Sequence, residues 1–471
     1  MMDFMITLSK IKDFYKEPQA IEPIQDEQVV KQTYKKWRLR IFLAMFFGYI
    51  VFYLCRKNIS VALPAMQADL GYSNTELGLL GSSLYFTYAV GKFVNGMIAD
   101  NTNVKKILPT ALIISALANI CFVLSAIFVT PGELSFFGLP SASILIWLLA
   151  FFWGLNGWFQ SMGFPPIAKS LSYWYSNKER GFKWSLWSSS HEIGTYLSVI
   201  ISGYLIAHCG WKSVFYIPAI FSILFCIYFY KNLQDKPASI GLPDIEEYNH
   251  SLEEGYCQIT TKNSEEDNLT YFQIFKKYIL KNPIIWLLAI AYVFVYIVRY
   301  GTIDWIVKYL VDVKDYTIVD AAKRLSFLPL FGVIGTVGAG YVSDKFFKGK
   351  RAPVNIICLS ALALCLYLFK VNSSYPMLDY LYISLIGIFT CGPQVLIGGL
   401  SAVESSSKKV ASAATGFCGM FGYIGAVLSG VGTGYIIDKF SWNGAIYFWI
   451  LSAIIGVAVC LILLKDELKK C

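Results

Sequence analysis

The chain has 471 residues, 56% hydrophobic, 16% aromatic and only 15% charged. A soluble domain carries about 25% charged residues, so this composition excludes a soluble enzyme and describes a polytopic membrane protein. The net charge of +9 reads as loop charge on one face of a membrane and not as a nucleic-acid signal. The apolar runs are near 20 residues long, the length of a spanning helix, whereas a β-barrel would show alternating runs of about ten.

Residues 1–37 are largely polar and lead into the basic stretch Lys35 to Arg40. They read as a cytoplasmic N-terminal segment without a cleavable signal. About twelve spanning stretches follow, near 41–63, 77–99, 107–129, 144–168, 184–206, 212–230, 284–308, 323–343, 353–370, 376–399, 411–437 and 443–464. The expected organisation is an N-terminal six-helix half over 38–230, a polar and acidic linker over 231–283, a C-terminal six-helix half over 284–464 and a tail over 465–471. The fold class is therefore all-α, with twelve transmembrane helices in two pseudo-symmetric halves.

Lysines and arginines set the orientation. The N-terminus, Lys105 and Lys106, the loop with Lys178, Arg180 and Lys183, the linker, the loop from Lys345 to Arg351, Lys408 and Lys409, and the tail fall on one side. The alternate loops at 64–76 and 130–143 carry no Lys or Arg. Only the segment with Lys308, Lys314, Lys323 and Arg324 dissents. Both termini are expected in the cytoplasm, with the chain in the cell's inner (cytoplasmic) membrane.

The halves repeat. Tyr53-Leu54-Cys55-Arg56 recurs as Tyr296-Ile297-Val298-Arg299, 243 residues on. Gly96 with Asp100, before Lys105 and Lys106, recurs as Gly340 with Asp344, before Lys345 and Lys348. Gly allows close helix packing, and Asp beside basic residues can clamp helix ends. Matched duplication of this kind is the architecture of rocking transporters.

Burying a guanidinium in hydrocarbon costs roughly 2.5–3.5 kcal/mol. Carrying it twice, at matched positions, points to use of both charges as anion ligands. Arg rather than Lys suits bidentate contact with phosphate or carboxylate. Arg56 lies sixteen residues beyond Arg40, roughly 24 Å along a helix, where snorkelling to the interface is the competing reading. Tyr49, Tyr53 and Arg56 share one helical face, and Tyr296 repeats Tyr53. Lys92, with Tyr88 at i−4, reads as a cavity wall or a snorkelling lysine. His191 follows three serines and precedes Glu192; a polar cavity and a satisfied core histidine compete for it. Asp304, five residues after Arg299, reads as its counter-charge or as a gating residue. The eleven cysteines show no metal or redox spacing. No P-loop is present, and no cofactor or metal is expected.

Tyr53-Leu54-Cys55-Arg56-Lys57-Asn58, Gly91-Lys92-Phe93, Gly163 with Pro165 and Pro166, Lys178-Glu179-Arg180-Gly181, Trp187 with His191, Gly241 with Pro243, Tyr296 with Arg299, Tyr300, Gly301, Asp304 and Trp305, and Gly392-Pro393-Gln394 resemble the organophosphate:phosphate antiporters of the major facilitator superfamily. The resemblance runs from about Lys36 to the C-terminus. It implies that Arg56 and Arg299 bind phosphate from the two halves and that Lys92 and His191 assist. Tyr49, Tyr53, Tyr88, Trp187, Tyr296 and Tyr423 would line the cavity, with Lys57, Asp100, Asp304 and Asp344 in structural or gating roles. The partners implied are a hexose or glycerol phosphate, inorganic phosphate and the lipid bilayer, for a chain acting as a monomer. Two departures stand out: Leu328-Pro329-Leu330 where relatives often carry an acid, and Cys391 where the glycerol-phosphate carrier has an aromatic residue. A membrane receptor for hexose phosphate, and a proton-coupled anion symporter using His191 or Glu192, are the alternative functions.

Overall fold

The computed structural model describes residues 13–100, 102–129, 141–245, 247–248, 271–372, 375–406 and 410–469. Among these residues the structure is helical, with one isolated bridge between Lys16 and Thr102. The first crossing is made of α1 (Glu27–Leu54) and α2 (Asn58–Leu70). It is followed by α3 (Asn74–Asp100), α4 (Val104–Phe128), and a fourth crossing of α5 (Ser141–Ser161) and α6 (Phe164–Trp174). The half ends with α7 (Asn177–Cys209) and α8 (Ser213–Asn232). The second half contains α9 (Pro283–Lys314), α10 (Ile318–Phe347), α11 (Ala352–Val371), α12 (Pro376–Val395) and α13 (Ala411–Lys469).

At 59 residues α13 is far longer than the roughly 20 that cross a bilayer. It folds back at Ser441, whose φ of 59° and ψ of −176° are not helical, and so makes the eleventh and twelfth crossings. The fourth and tenth crossings are both interrupted near proline, at Met162-Gly163 before Pro165 and by a π-turn over Leu396–Ser401 after Pro393. The expected spans each fall on one of these crossings.

The first crossing breaks at Cys55–Lys57, where apolar run length alone predicts a continuous helix. A helix end inside hydrocarbon needs partners for its freed carbonyls, and amides from neighbouring helices supply them. Asn156 and Asn119 donate to the Cys55 carbonyl at 2.8 and 3.2 Å, and Gln160 donates to that of Phe52 at 2.9 Å. Asn58 opens α2 by donating to Asn119 Oδ1 and to the Val214 carbonyl.

The halves meet along three seams: α2 on α9, α3 on the eleventh crossing, and α7 on α10. These are crossings 1 with 7, 2 with 11 and 5 with 8, a pattern that maps onto itself when the halves are exchanged. The interior holds buried Arg56, Lys57, Glu192 and Arg299 among aromatic and aliphatic residues, while Trp147, Phe151, Leu224, Val337 and Leu451 are exposed, as a lipid-facing surface requires.

Residues near Glu17 strap the end of the first half. Lys169 and Lys236 both donate to the Glu17 carboxylate, and Ile21 and Ile24 pair with the backbone of Ala238 and Gly241. Burial raises the Glu17 carboxyl, but the two lysines outweigh it and hold it below the usual value. Leu233, Leu242 and Ile245 are buried in the core of the first half, and Tyr34 donates to the Pro243 carbonyl. The first part of the expected linker thus docks on that half, because it carries enough apolar surface to do so.

The dissenting basic segment is locally balanced. Lys308 pairs with Asp312 at 2.5 Å, Lys314 with Asp379 at 2.5 Å, and Lys323 lies 3.8 Å from Asp320. The Arg324 guanidinium stacks between the rings of Tyr316 and Tyr380, at 3.9 and 4.8 Å. Lys408 and Lys409 lie outside the described residues.

Replacing Gln160 by Leu removes the side-chain donor to the Phe52 carbonyl and leaves it only the Cys55 N–H at 3.2 Å. The expected loss is about 0.5–1.5 kcal/mol of stability, read as a lowered thermal midpoint in detergent; an unchanged midpoint would refute the account of the break.

Candidate functional site

The break between α1 and α2 carries Arg56 into the interior, where it is 3% exposed. Its guanidinium lies 4.2 Å from the Tyr88 ring centre and 5.2 Å from that of Tyr53. Nη2 donates to the Tyr423 hydroxyl at 3.0 Å, across the two halves. Nε is buried without a partner among the described residues.

Arg299 lies within the continuous helix α9 and is 6% exposed. Nη2 donates to Glu192 Oε1 on α7 at 2.9 Å, and Nη1 to Cys391 Sγ at 2.9 Å. His191 Nε2 is 3.2 Å from the same Glu192 oxygen. Of the two alternatives for Asp304, the counter-charge of Arg299 is therefore not the one that the structure shows. Five residues on a helix turn the side chain by about 140°, so the two leave α9 on different faces. Asp304 instead accepts from Lys57 at 2.9 Å and from the Tyr85 hydroxyl at 2.5 Å, while Lys57 also donates to Tyr85 at 2.8 Å.

Aromatic rings join the two arginines. Tyr49 contacts Tyr53 and Trp187, at 5.4 and 4.8 Å between ring centres, and Tyr53 reaches His191 at 6.1 Å. Tyr423 contacts Tyr88 at 4.5 Å and Tyr296 at 5.6 Å. The Lys92 ammonium is 5.6 Å from the Tyr423 ring and 5.8 Å from that of Phe164. The ten residues expected to bind substrate thus form one connected cluster.

The cluster also holds Tyr85, Tyr292, Tyr300 and Cys391, which lie outside the binding set expected from sequence. The hydroxyls of Tyr292 and Tyr296 are 3.2 Å apart, and the rings of Tyr300 and Tyr85 lie tilted with centres 4.5 Å apart. Tyr292 does carry a signal: it follows Tyr49 by 243 residues, the spacing of the arginine repeat. Cys391 gives no signal beyond its departure from the family pattern.

Asp344 sits at the helix end and pairs with Arg351 at 2.6 Å; Arg351 also reaches Glu404 at 2.8 Å. It clamps α10, α11 and the end of the tenth crossing and takes no part in the cluster. The side chain of Asp100 lies outside the described residues.

Further ties between the halves gather at one end of the bundle. Asp438 accepts from the backbone nitrogens of Asn74 and Thr75 at 3.1 and 2.7 Å, capping α3 from the opposite half. Ser82 donates to the Val427 carbonyl at 2.8 Å and accepts from Val431 N at 2.9 Å. Lys308 donates to Gln67.

Twelve crossings in two like halves, with a buried arginine contributed by each half, define a secondary transporter fold. The chain belongs to the Major Facilitator Superfamily, which it matches over residues 45–397. The "Probable hexose phosphate transport protein" of Chlamydia pneumoniae is 38% identical over 456 residues, covering 96% of each chain. The "Glycerol-3-phosphate transporter" of Bacillus subtilis (strain 168) is 35% identical over 448 residues, covering 94% of this chain and 96% of the other. In fold, the chain is similar to the crystal structure of a bacterial homologue of the human lysosomal transporter Spinster. The TM-score is 0.69 at 17% identity, over 92% of this chain and 98% of that one.

A double-mutant cycle on thermal stability should give a coupling of roughly 1–3 kcal/mol between Lys57 and Asp304 and near zero between Arg299 and Asp304. The reverse ranking would restore Asp304 as the counter-charge of Arg299.

Proposed function

We propose that the protein exchanges a phosphorylated organic solute, a hexose 6-phosphate or glycerol 3-phosphate, for inorganic phosphate by alternating access. The observation that carries the reading is the pair of buried arginines on opposite halves, with tyrosines bridging them. Two guanidinium groups offer forked donors from both sides, a match for the oxygens of a phosphoryl dianion. Phenolic hydroxyls add donors, while their rings keep the site dry. The names of the full-length relatives supply the chemical class of the solute.

The mechanism follows from the seam. Asp438, Ser82 and Lys308 tie the halves at the end that carries the 71–73 loop. Opening that end requires these bonds to break, and an anion held by Arg56 and Arg299 draws the halves together at the other end. On the lysine and arginine distribution, that other end faces the cytoplasm, both termini lie there, and the membrane is the inner one. The chain works as a monomer, since one copy holds both arginines. Residues 1–37 and 231–283 are cytoplasmic segments around halves at 38–230 and 284–464, with a tail at 465–471. Lys92 and His191 contribute charge and hydrogen bonding to the bound anion. Tyr49, Tyr53, Tyr88, Trp187, Tyr296 and Tyr423 shape the cavity, Lys57 and Asp304 gate it, and Asp100 and Asp344 hold helix ends.

Proteoliposomes loaded with phosphate should take up labelled glucose 6-phosphate or glycerol 3-phosphate, and unloaded vesicles should not. Full uptake without internal phosphate would sink the exchange; binding without any flux would favour a receptor. Replacing Arg56 or Arg299 by Lys keeps the charge but loses the fork. It is expected to weaken binding by about 1.5–3 kcal/mol, the worth of a hydrogen bond to a charged group. Wild-type affinity in either variant would remove that arginine from the site.

A further inference from the structure

Glu192 is 3% exposed, in the middle of α7. One of its oxygens is heavily used: Oε1 accepts from Arg299 at 2.9 Å and faces His191 Nε2 at 3.2 Å. The other is idle, since Oε2 is buried with no partner among the described residues. A salt bridge built only to hold the fold would satisfy both oxygens, because a buried carboxylate that leaves one unmatched recovers little of its desolvation cost. Arg299 is also half-used, its Nη1 resting on a thiol, a weak acceptor.

The charges around the cavity fit this reading. Arg56, Lys57, Lys92 and Arg299 are opposed by two carboxylates, Glu192 and Asp304, and Asp304 is taken by Lys57 and Tyr85. Among these lysine, arginine and carboxylate groups two positive charges remain, the number that a phosphoryl dianion cancels. Among the described residues Arg56 has no carboxylate partner.

We propose that Glu192 is a resident anion. In the empty site it holds the place on Arg299 that a phosphoryl oxygen takes when substrate binds, so that binding exchanges one anion for another. This rests on the phosphate-site reading above. Arg56, already free of an acid, makes the first contact with the incoming phosphoryl group. The displaced carboxylate turns to the His191 nitrogen it already faces. Glu192 thereby holds down the affinity of a site that two uncompensated arginines would make too tight for release.

The test measures dissociation constants for inorganic phosphate and glucose 6-phosphate on the purified full chain, with thermal midpoints alongside. Glu192→Gln keeps the shape and removes the charge. It is expected to bind phosphate at least roughly tenfold tighter, the ratio that about 1.4 kcal/mol produces, with a larger phosphate-induced rise in midpoint than wild type. Adding Arg299→Gln should abolish that gain. Equal or weaker binding by Glu192→Gln, with wild type binding normally, overturns the inference and leaves the phosphate site standing. Where Glu192→Gln fails to fold, Glu192→Asp carries the test: its shorter reach loosens the bridge, an intermediate gain supports the inference, and no gain overturns it. Wild-type protein that binds neither anion overturns the phosphate reading and this inference with it.

Discussion

Two ion pairs cross the middle of the bundle, Lys57 with Asp304 and Glu192 with Arg299. They run in opposite senses: the first half gives the cation to one and the anion to the other. Both are buried where an unmatched charge would cost several kcal/mol. Much of the architecture serves this constraint. The seams must bring α2 against α9 and α7 against α10 for the pairs to form, and neither half could bury its own charges alone. At mid-depth the seam carries these two ion pairs inside a packed core that draws apolar residues from both halves.

The arginines are related by the repeat but not by local structure. Arg56 sits where the first crossing breaks, with Asn119, Asn156 and Gln160 answering the freed carbonyls. Arg299 sits on an unbroken helix. Among the described residues, the first meets aromatic rings and the second a carboxylate. The repeat supplies matched positions, and the surroundings of each differ. Tyr423 closes the gap by bonding to Arg56 while packing on Tyr88 and Tyr296.

Residues that repeat at one spacing are legible in the amino-acid sequence itself. Tyr53 with Arg56 and Tyr296 with Arg299 mark the cluster, and Tyr292 carries the same mark as the repeat of Tyr49. Helical periodicity places Tyr49 and Tyr53 on one face, and their contact follows from it, while Arg56 reaches the Tyr53 ring from the break beyond the helix end. Asp304 shows the limit of such reasoning. Proximity in sequence to Arg299 makes it a natural partner, yet a side chain five positions along points elsewhere, and Lys57 on another helix is the nearer charge. Glu192 is visible as a buried acid, but nothing in its own segment names a partner 107 residues away.

Composition and hydrophobic run length determined that the chain is a bundle of membrane-spanning helices, because hydrocarbon admits few other ways of satisfying a backbone. The duplicated Tyr and Arg spacing determined that two halves each present a cation. Which acid answers which cation was decided by the tertiary structure alone, as were the break at Cys55 and the reversal at Ser441. The reason is one of range. Periodicity fixes which way a side chain leaves its own helix, but pairing across the seam depends on how helices distant in sequence register against one another.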